Sequence, residues 1–140
     1  MLKKTALSLI SRIRDSANKL IVSELERHGV EGIVPSHGDI LACLYQNDLV
    51  TMKEISQFIH RTKPTVTVLV NKLVELGYVI REKDSSDNRI TYIKLTEKGA
   101  GLEPVFTEIS ERLNEVIYAG LNETEGENFE KLLEKILQRF

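Results

Sequence analysis

The 140 residues hold one cysteine, Cys43, three prolines and eight glycines. One thiol cannot form an intramolecular disulfide, which excludes a disulfide-stapled secreted scaffold and suits a reducing compartment. So little proline and glycine excludes fibrous or long low-complexity segments. No apolar run approaches the roughly 20 residues that cross a bilayer. Lys3 and Lys4 are followed by no long apolar core before Arg12 and Arg14, so the start of the chain lacks signal-peptide form. A soluble, cytoplasmic chain is expected. Nucleophile elbows, glycine-rich phosphate loops and paired-carboxylate motifs are also missing, so neither enzymatic activity nor a cofactor is expected. His28, His37 and His60 lie far apart without Cys or carboxylate at ligand spacing, which argues against a metal site.

Strong net charge is lacking too: the formal balance is −2. The mean conceals an asymmetry. Residues 51–98 carry nine basic against six acidic side chains, whereas residues 99–140 carry four against nine. A polyanion is therefore drawn to the middle of the chain and repelled by its last third, since attraction acts over roughly 8–10 Å at ordinary ionic strength.

The apolar pattern is mainly helical. Leu7, Ile10, Ile13, Ala17, Leu20, Ile21 and Leu25 recur at helical spacing and predict a long amphipathic helix. Gly29 and Gly32 break it, and Pro35-Ser36 opens a second helix in which Ser36 is the expected cap. Thr51-Met-Lys-Glu54 has capping-box form, predicting a short helix that buries Ile55, Phe58 and Ile59. Pro64 suits a first helical turn, and Val66, Leu69, Val70, Leu73 and Leu76 form the inner stripe of the helix that follows, which Gly77 ends. Two strand-like runs, 78–83 and 89–95, flank a polar tip and make a β-hairpin. Thr96 caps one long helix carrying Leu102 to Leu121, and a last helix after Asn122 carries Phe129 to Phe140.

Two short helices joined by a tight turn and followed at once by a hairpin form a winged helix-turn-helix pattern, so the expected fold is mainly α with a small β-hairpin wing. A helix fits the major groove, and the outward side chains of the second one are Lys63, Thr65, Thr67, Val68, Asn71 and Lys72. The lysines suit phosphates, the threonine hydroxyls suit phosphate oxygens, Val68 suits a thymine methyl, and Asn71 has the paired donor and acceptor that adenine needs. Lys83 and Arg89 stand on the hairpin, where an arginine can enter a minor groove, with Asp87 placed to hold its guanidinium in a fork. The same residues also fit an ordinary solvated helix face and a polar β-turn.

Asp84-Ser-Ser-Asp-Asn-Arg89, followed by Ile93-Lys-Leu-Thr-Glu-Lys-Gly99, resembles the wing signature of the MarR family of bacterial and archaeal regulators. That signature is an acidic residue, usually proline, any residue and Asp-Arg-Arg, with Leu-Thr and Gly downstream. Ser85 stands at the proline and Asn88 at the first arginine, which shifts the wing's grip onto Arg89 and Lys83. Thr65 to Leu73, then Gly77-Tyr78-Val79, is similar to the family's recognition helix and its exit, with Val68 where an arginine is common.

The resemblance implies a homodimeric transcriptional regulator, a ligand-responsive repressor, on pseudo-palindromic operator DNA. It divides the chain into an N-terminal dimerisation helix (1–35), a winged helix-turn-helix DNA-binding domain (36–96) and C-terminal dimerisation helices (97–140). The apolar stripes of the terminal segments agree independently, since they need a partner. The resemblance also implies a small aromatic or anionic effector, for which Arg14, His37 and Cys43 are the candidate residues. Cys43 itself lies on an apolar helix face with no nearby cation and reads as a buried structural thiol. The alternative, favoured by the overall acidity, is a winged-helix interaction module without DNA affinity.

Overall fold

The structure is a computed structural model describing residues 1–140. Its elements are α1 (Ala6–Arg27), α2 (Pro35–Gln46), β1 (Val50–Thr51), α3 (Met52–Ile59), α4 (Lys63–Glu75), β2 (Val79–Lys83), β3 (Thr91–Leu95), α5 (Glu97–Ala100), α6 (Glu103–Tyr118) and α7 (Glu123–Leu137). No helix is long and apolar enough to cross a membrane. The chain forms two compact units, 1–109 and 110–140.

The first unit holds the core. Leu25, Ile40, Leu41, Ile55, Val66, Val70, Leu73, Val79 and Ile93 are essentially sealed from solvent, and each such side chain contributes about 2 kcal/mol of burial. The stripe expected on α4 is therefore real: Val66, Val70 and Leu73 are enclosed, and Leu69 and Leu76 pack against them. On α3 only Ile55 is buried; Ile59 is half-buried and Phe58 is exposed, which corrects the expectation for that helix.

Two helix starts differ from expectation. Val34, not Ser36, is the N-cap of α2, with Pro35 in the first turn. The Val34 amide donates to Nδ1 of His37 at 2.9 Å, so the imidazole takes the part that a Glu or Gln side chain plays in a capping box. The single long helix expected after Thr96 is broken after α5. Pro104 lies in the first turn of α6, where it has no amide to continue the ladder from α5. The Thr51 capping box forms as read, with Glu54 N donating to Thr51 Oγ1 at 3.2 Å and Thr51 N to Glu54 Oε1 at 3.1 Å.

The hairpin is part of a three-stranded antiparallel sheet of order β1-β3-β2. The two-residue β1 lies before the first helix of the helix-turn-helix and pairs Val50 with Ile93 and Thr51 with Tyr92. Its brevity hides it from period-2 reading. It ties the base of the wing to the start of α3.

In the second unit, Asn122 caps α7, accepting from Glu125 N at 2.8 Å while Glu125 Oε1 accepts from Asn122 N at 3.0 Å. Tyr118 donates to Glu130 at 2.8 Å, and its ring lies beneath Gly126. The apolar residues of α7 remain largely open: Phe129, Leu132, Leu133, Ile136 and Leu137 are all exposed.

Candidate nucleic-acid interface

The turn between α3 and α4 closes at His60, whose φ of 57° is left-handed. The inner stripe of α4 fixes the rotation of that helix, leaving Lys63, Thr67, Val68 and Asn71 outward, with Val68 68% exposed. The outward hydroxyls are not equivalent. Thr67 donates to the Lys63 carbonyl at 3.0 Å, so its proton is spent inside the helix. Thr65 accepts from Thr62 at 3.0 Å and keeps its own proton for an external acceptor. Lys72 is set apart, half-buried beside Gly32 and 3.9 Å from Glu75.

Facing α4, the wing presents one unanticipated side chain: Arg81 on β2 donates from Nη2 to Oδ1 of Asn71. The register pairs Val79 with Leu95, Arg81 with Ile93 and Lys83 with Thr91, and directly opposed residues share a face. Val79 and Ile93 are buried, so Arg81 is the next position outward on the core-facing side. The alternation that identified the strand carried this signal.

The wing tip is built on Asp84. Its Oδ2 accepts from Ser86 N at 3.0 Å, Ser86 Oγ at 2.9 Å and Asp87 N at 2.9 Å. These bonds favour the charged carboxylate and hold it below the usual carboxylate range. The Asp84 amide donates to the Ile90 carbonyl at 2.9 Å and closes the loop. Arg89 grips Asp87 in a fork, Nε to Oδ1 and Nη2 to Oδ2, both at 3.1 Å, and its amide donates to the same carboxylate at 3.0 Å. Asp87 is depressed accordingly, chiefly by the Arg89 side chain. The Arg89 side chain remains 90% exposed, so it is oriented without being covered. Lys83 lies exposed at the end of β2.

The downstream Leu-Thr-Glu-Lys-Gly run is structural. Thr96 donates to the Gly77 carbonyl at 2.6 Å and accepts from Gly99 N at 3.1 Å. Lys98 donates to the Leu76 carbonyl at 2.7 Å and stands 4.4 Å over the Tyr78 ring. Tyr45 donates to the Gly99 carbonyl at 2.9 Å. A Cβ on Gly99 would lie 2.1 Å from the Tyr78 carbonyl oxygen. The motif therefore clasps the end of α4 to the base of the wing and fixes the angle between them.

The three effector candidates are not linked to one another by any hydrogen bond or ion pair. Arg14 is exposed on α1, within electrostatic reach of Asp39. His37 is buried, accepting from the amide of the α2 cap Val34, and its pKa is lowered by burial and by Lys72. Cys43 is 1% exposed, and burial, then the Glu54 charge, pushes its thiol up, away from thiolate. No group of three or more His, Cys, Asp or Glu side chains is arranged to hold a metal ion.

The MarR family model matches residues 33–91. The HTH-type transcriptional regulator MhqR of Bacillus subtilis is 27% identical over 129 residues, covering 91% of this chain and 86% of MhqR. Among solved structures, the DNA complex of MepR from S. aureus is 27% identical with a TM-score of 0.85, covering all of this chain and 99% of that one. A MarR transcriptional regulator from Methanosarcina mazei Go1 is 25% identical with a TM-score of 0.81, covering 99% and 91%.

Proposed function

We infer that this chain, which belongs to the MarR family of winged helix-turn-helix transcriptional regulators, binds double-stranded DNA as a homodimer and represses transcription from pseudo-palindromic operators. The observation that carries the reading is Arg89, forked by Asp87 at the tip of the wing and 90% exposed. A guanidinium oriented this way enters a groove with little further loss of rotamer freedom. Lys63 and Lys83 supply phosphate contacts, and Thr65 a hydroxyl donor. Thr67, Val68 and Asn71 line the base-facing side of α4, and Lys72 lies at its margin. The solved complex of MepR with DNA supports the assignment, since it shares the fold over the whole chain.

The dimer reading draws on exposed apolar side chains in both terminal segments, among them Leu7, Ile10 and Ile13 on α1 and Leu132 and Ile136 on α7. Segments 1–35 and 97–140 then serve dimerisation and 36–96 serves DNA. An anionic effector that favours a DNA-incompatible lobe spacing would release the operator. Of the three candidates, Arg14 is the one open to such a ligand.

Replacing Arg89 with Ala tests the wing. Affinity should fall, and the slope of log affinity against log salt should shrink by about 1. Equal binding by both chains across a salt titration would refute the wing's role. No duplex affinity at low salt would leave the docking-module reading.

A further inference from the structure

We propose that Arg81 sets the base preference of α4 by fixing the amide of Asn71, so that Asn71 reads a keto base, guanine or thymine, rather than adenine. The inference rests on the DNA-binding reading and deepens it. Asn71 is exposed on α4 and shares a stripe with Lys63 and Thr67, eight and four residues before it. Read alone, its amide offers one donor end and one acceptor end, the pair that adenine N7 and N6–H require.

Arg81 removes that symmetry. A guanidinium has only donors, so its bond to Asn71 identifies which end of the amide is oxygen and turns that end toward the wing. No carboxylate is paired with Arg81; its neighbour Glu82 is engaged by Lys94 at 3.6 Å. The NH2 end of Asn71 is left for the DNA. Guanine O6 and N7 and thymine O4 accept from it, whereas cytosine presents only the N4 amino group in the major groove. Adenine loses its second bond. The positive charge beside the amide oxygen also repels the adenine N6 amino group and attracts a keto oxygen. Arg81 is thus a positioning residue whose effect appears as specificity.

The test is selection from a randomised duplex library by the full chain, run beside Asn71→Ala, Arg81→Ala and Arg81→Lys, with thermal unfolding confirming that all four fold. The unmodified chain should show a half-site position enriched in guanine or thymine. Asn71→Ala should flatten that position and no other. Arg81→Ala should raise adenine against guanine there by about tenfold, the value of a bidentate pair. Arg81→Lys, which restores a donor, should return the keto preference. Adenine at that position with the unmodified chain would overturn the proposal. So would an Arg81→Ala chain that binds every sequence equally more weakly, since Arg81 would then contact only the backbone. If the unmodified chain selects nothing and binds no duplex at low salt, the DNA-binding reading itself falls.

Discussion

Val66, Val70 and Leu73 on α4 are sealed from solvent, whereas Leu132, Ile136 and Leu137 on α7 are 59%, 47% and 72% exposed. Both helices carry apolar residues at helical spacing, and both have a start signal, Pro64 in the first turn of α4 and the Asn122 capping box on α7. What differs is whether the chain supplies its own cover. Residues of α1 to α4, β1 to β3 and the first part of α6 bury one another. The exposed stripe of α7 has no such enclosure, nor has the start of α1, where Leu7 is 79% exposed. Amphipathic periodicity identifies a helix and its apolar face but does not say whose surface covers it. The winged-helix centre encloses its own apolar stripe within one chain; α7 and the start of α1 leave theirs open, and that open surface is what the proposed dimer would cover.

The same small substitution should separate the two regions most sharply. Gly99→Ala drives a Cβ to 2.1 Å from the Tyr78 carbonyl, which opens the clasp at the base of the wing. The expected cost is on the order of 4 kcal/mol, or failure to fold. Gly126→Ala in α7 meets Tyr118 at an ordinary 3.5 Å and gains helix propensity, so stability should hold or rise by about 0.5 kcal/mol. Urea unfolding of both variants decides it, and equal losses would erase the contrast.

Truncation at the two stripes extends the comparison. Leu73→Ala should cost about 3 kcal/mol at any protein concentration, because it opens a cavity inside one chain. Ile136→Asp should cost little in a monomer yet weaken self-association by about 2 kcal/mol, roughly thirtyfold. Sedimentation over a dilution series reads the second effect. An Ile136→Asp chain that associates as the parent does would remove α7 from the proposed dimer interface.

The centre was largely legible because its signals are local. The Thr51 box, Pro64, Gly77, the α4 stripe and the Asp87–Arg89 fork each follow from residues close in sequence. Features missed by reading depend on distant partners or very short elements. β1 is two residues long and exists only because β3 accepts it. The Val34 cap works through His37, a residue type outside the usual capping set. Arg81 reads in the sequence only as positive charge, since its bond to Asn71 needs the register that brings β2 beside α4. In the sequence Thr96 and Gly99 are a cap and part of a signature, whereas their contacts with Gly77 and Tyr78 span about 20 residues of chain. Arg14, His37 and Cys43 came from resemblance, and local packing commits two of them elsewhere.

The smallest expected effect distinguishes the regions by the sign of their pH response. His28 ends α1, where its Nδ1 faces the Glu24 carbonyl at 2.8 Å and its Nε2 faces the Glu108 carboxylate on α6 at 3.0 Å. Both partners are acceptors, so only imidazolium donates to both. The Glu24 carbonyl, then Glu108, raises its pKa above 6.5 against the opposing Arg27 charge. The joint's contribution is therefore complete below 6.5 and is lost as pH rises through the elevated folded value. His37, in the centre, must stay neutral for Nδ1 to accept from Val34, and burial, then Lys72, lowers it. Its contribution is complete above 6.5 and is lost as pH falls through the depressed folded value. Melting curves from pH 5 to 8.5 should show His28→Gln losing the parent's advantage on the acid side alone. His37→Gln keeps a cap acceptor and should lose the acid-side decline of the parent. Parallel curves for the parent and both variants would mean that neither imidazole changes protonation on folding, and the opposite signs assigned to the two regions would fall together.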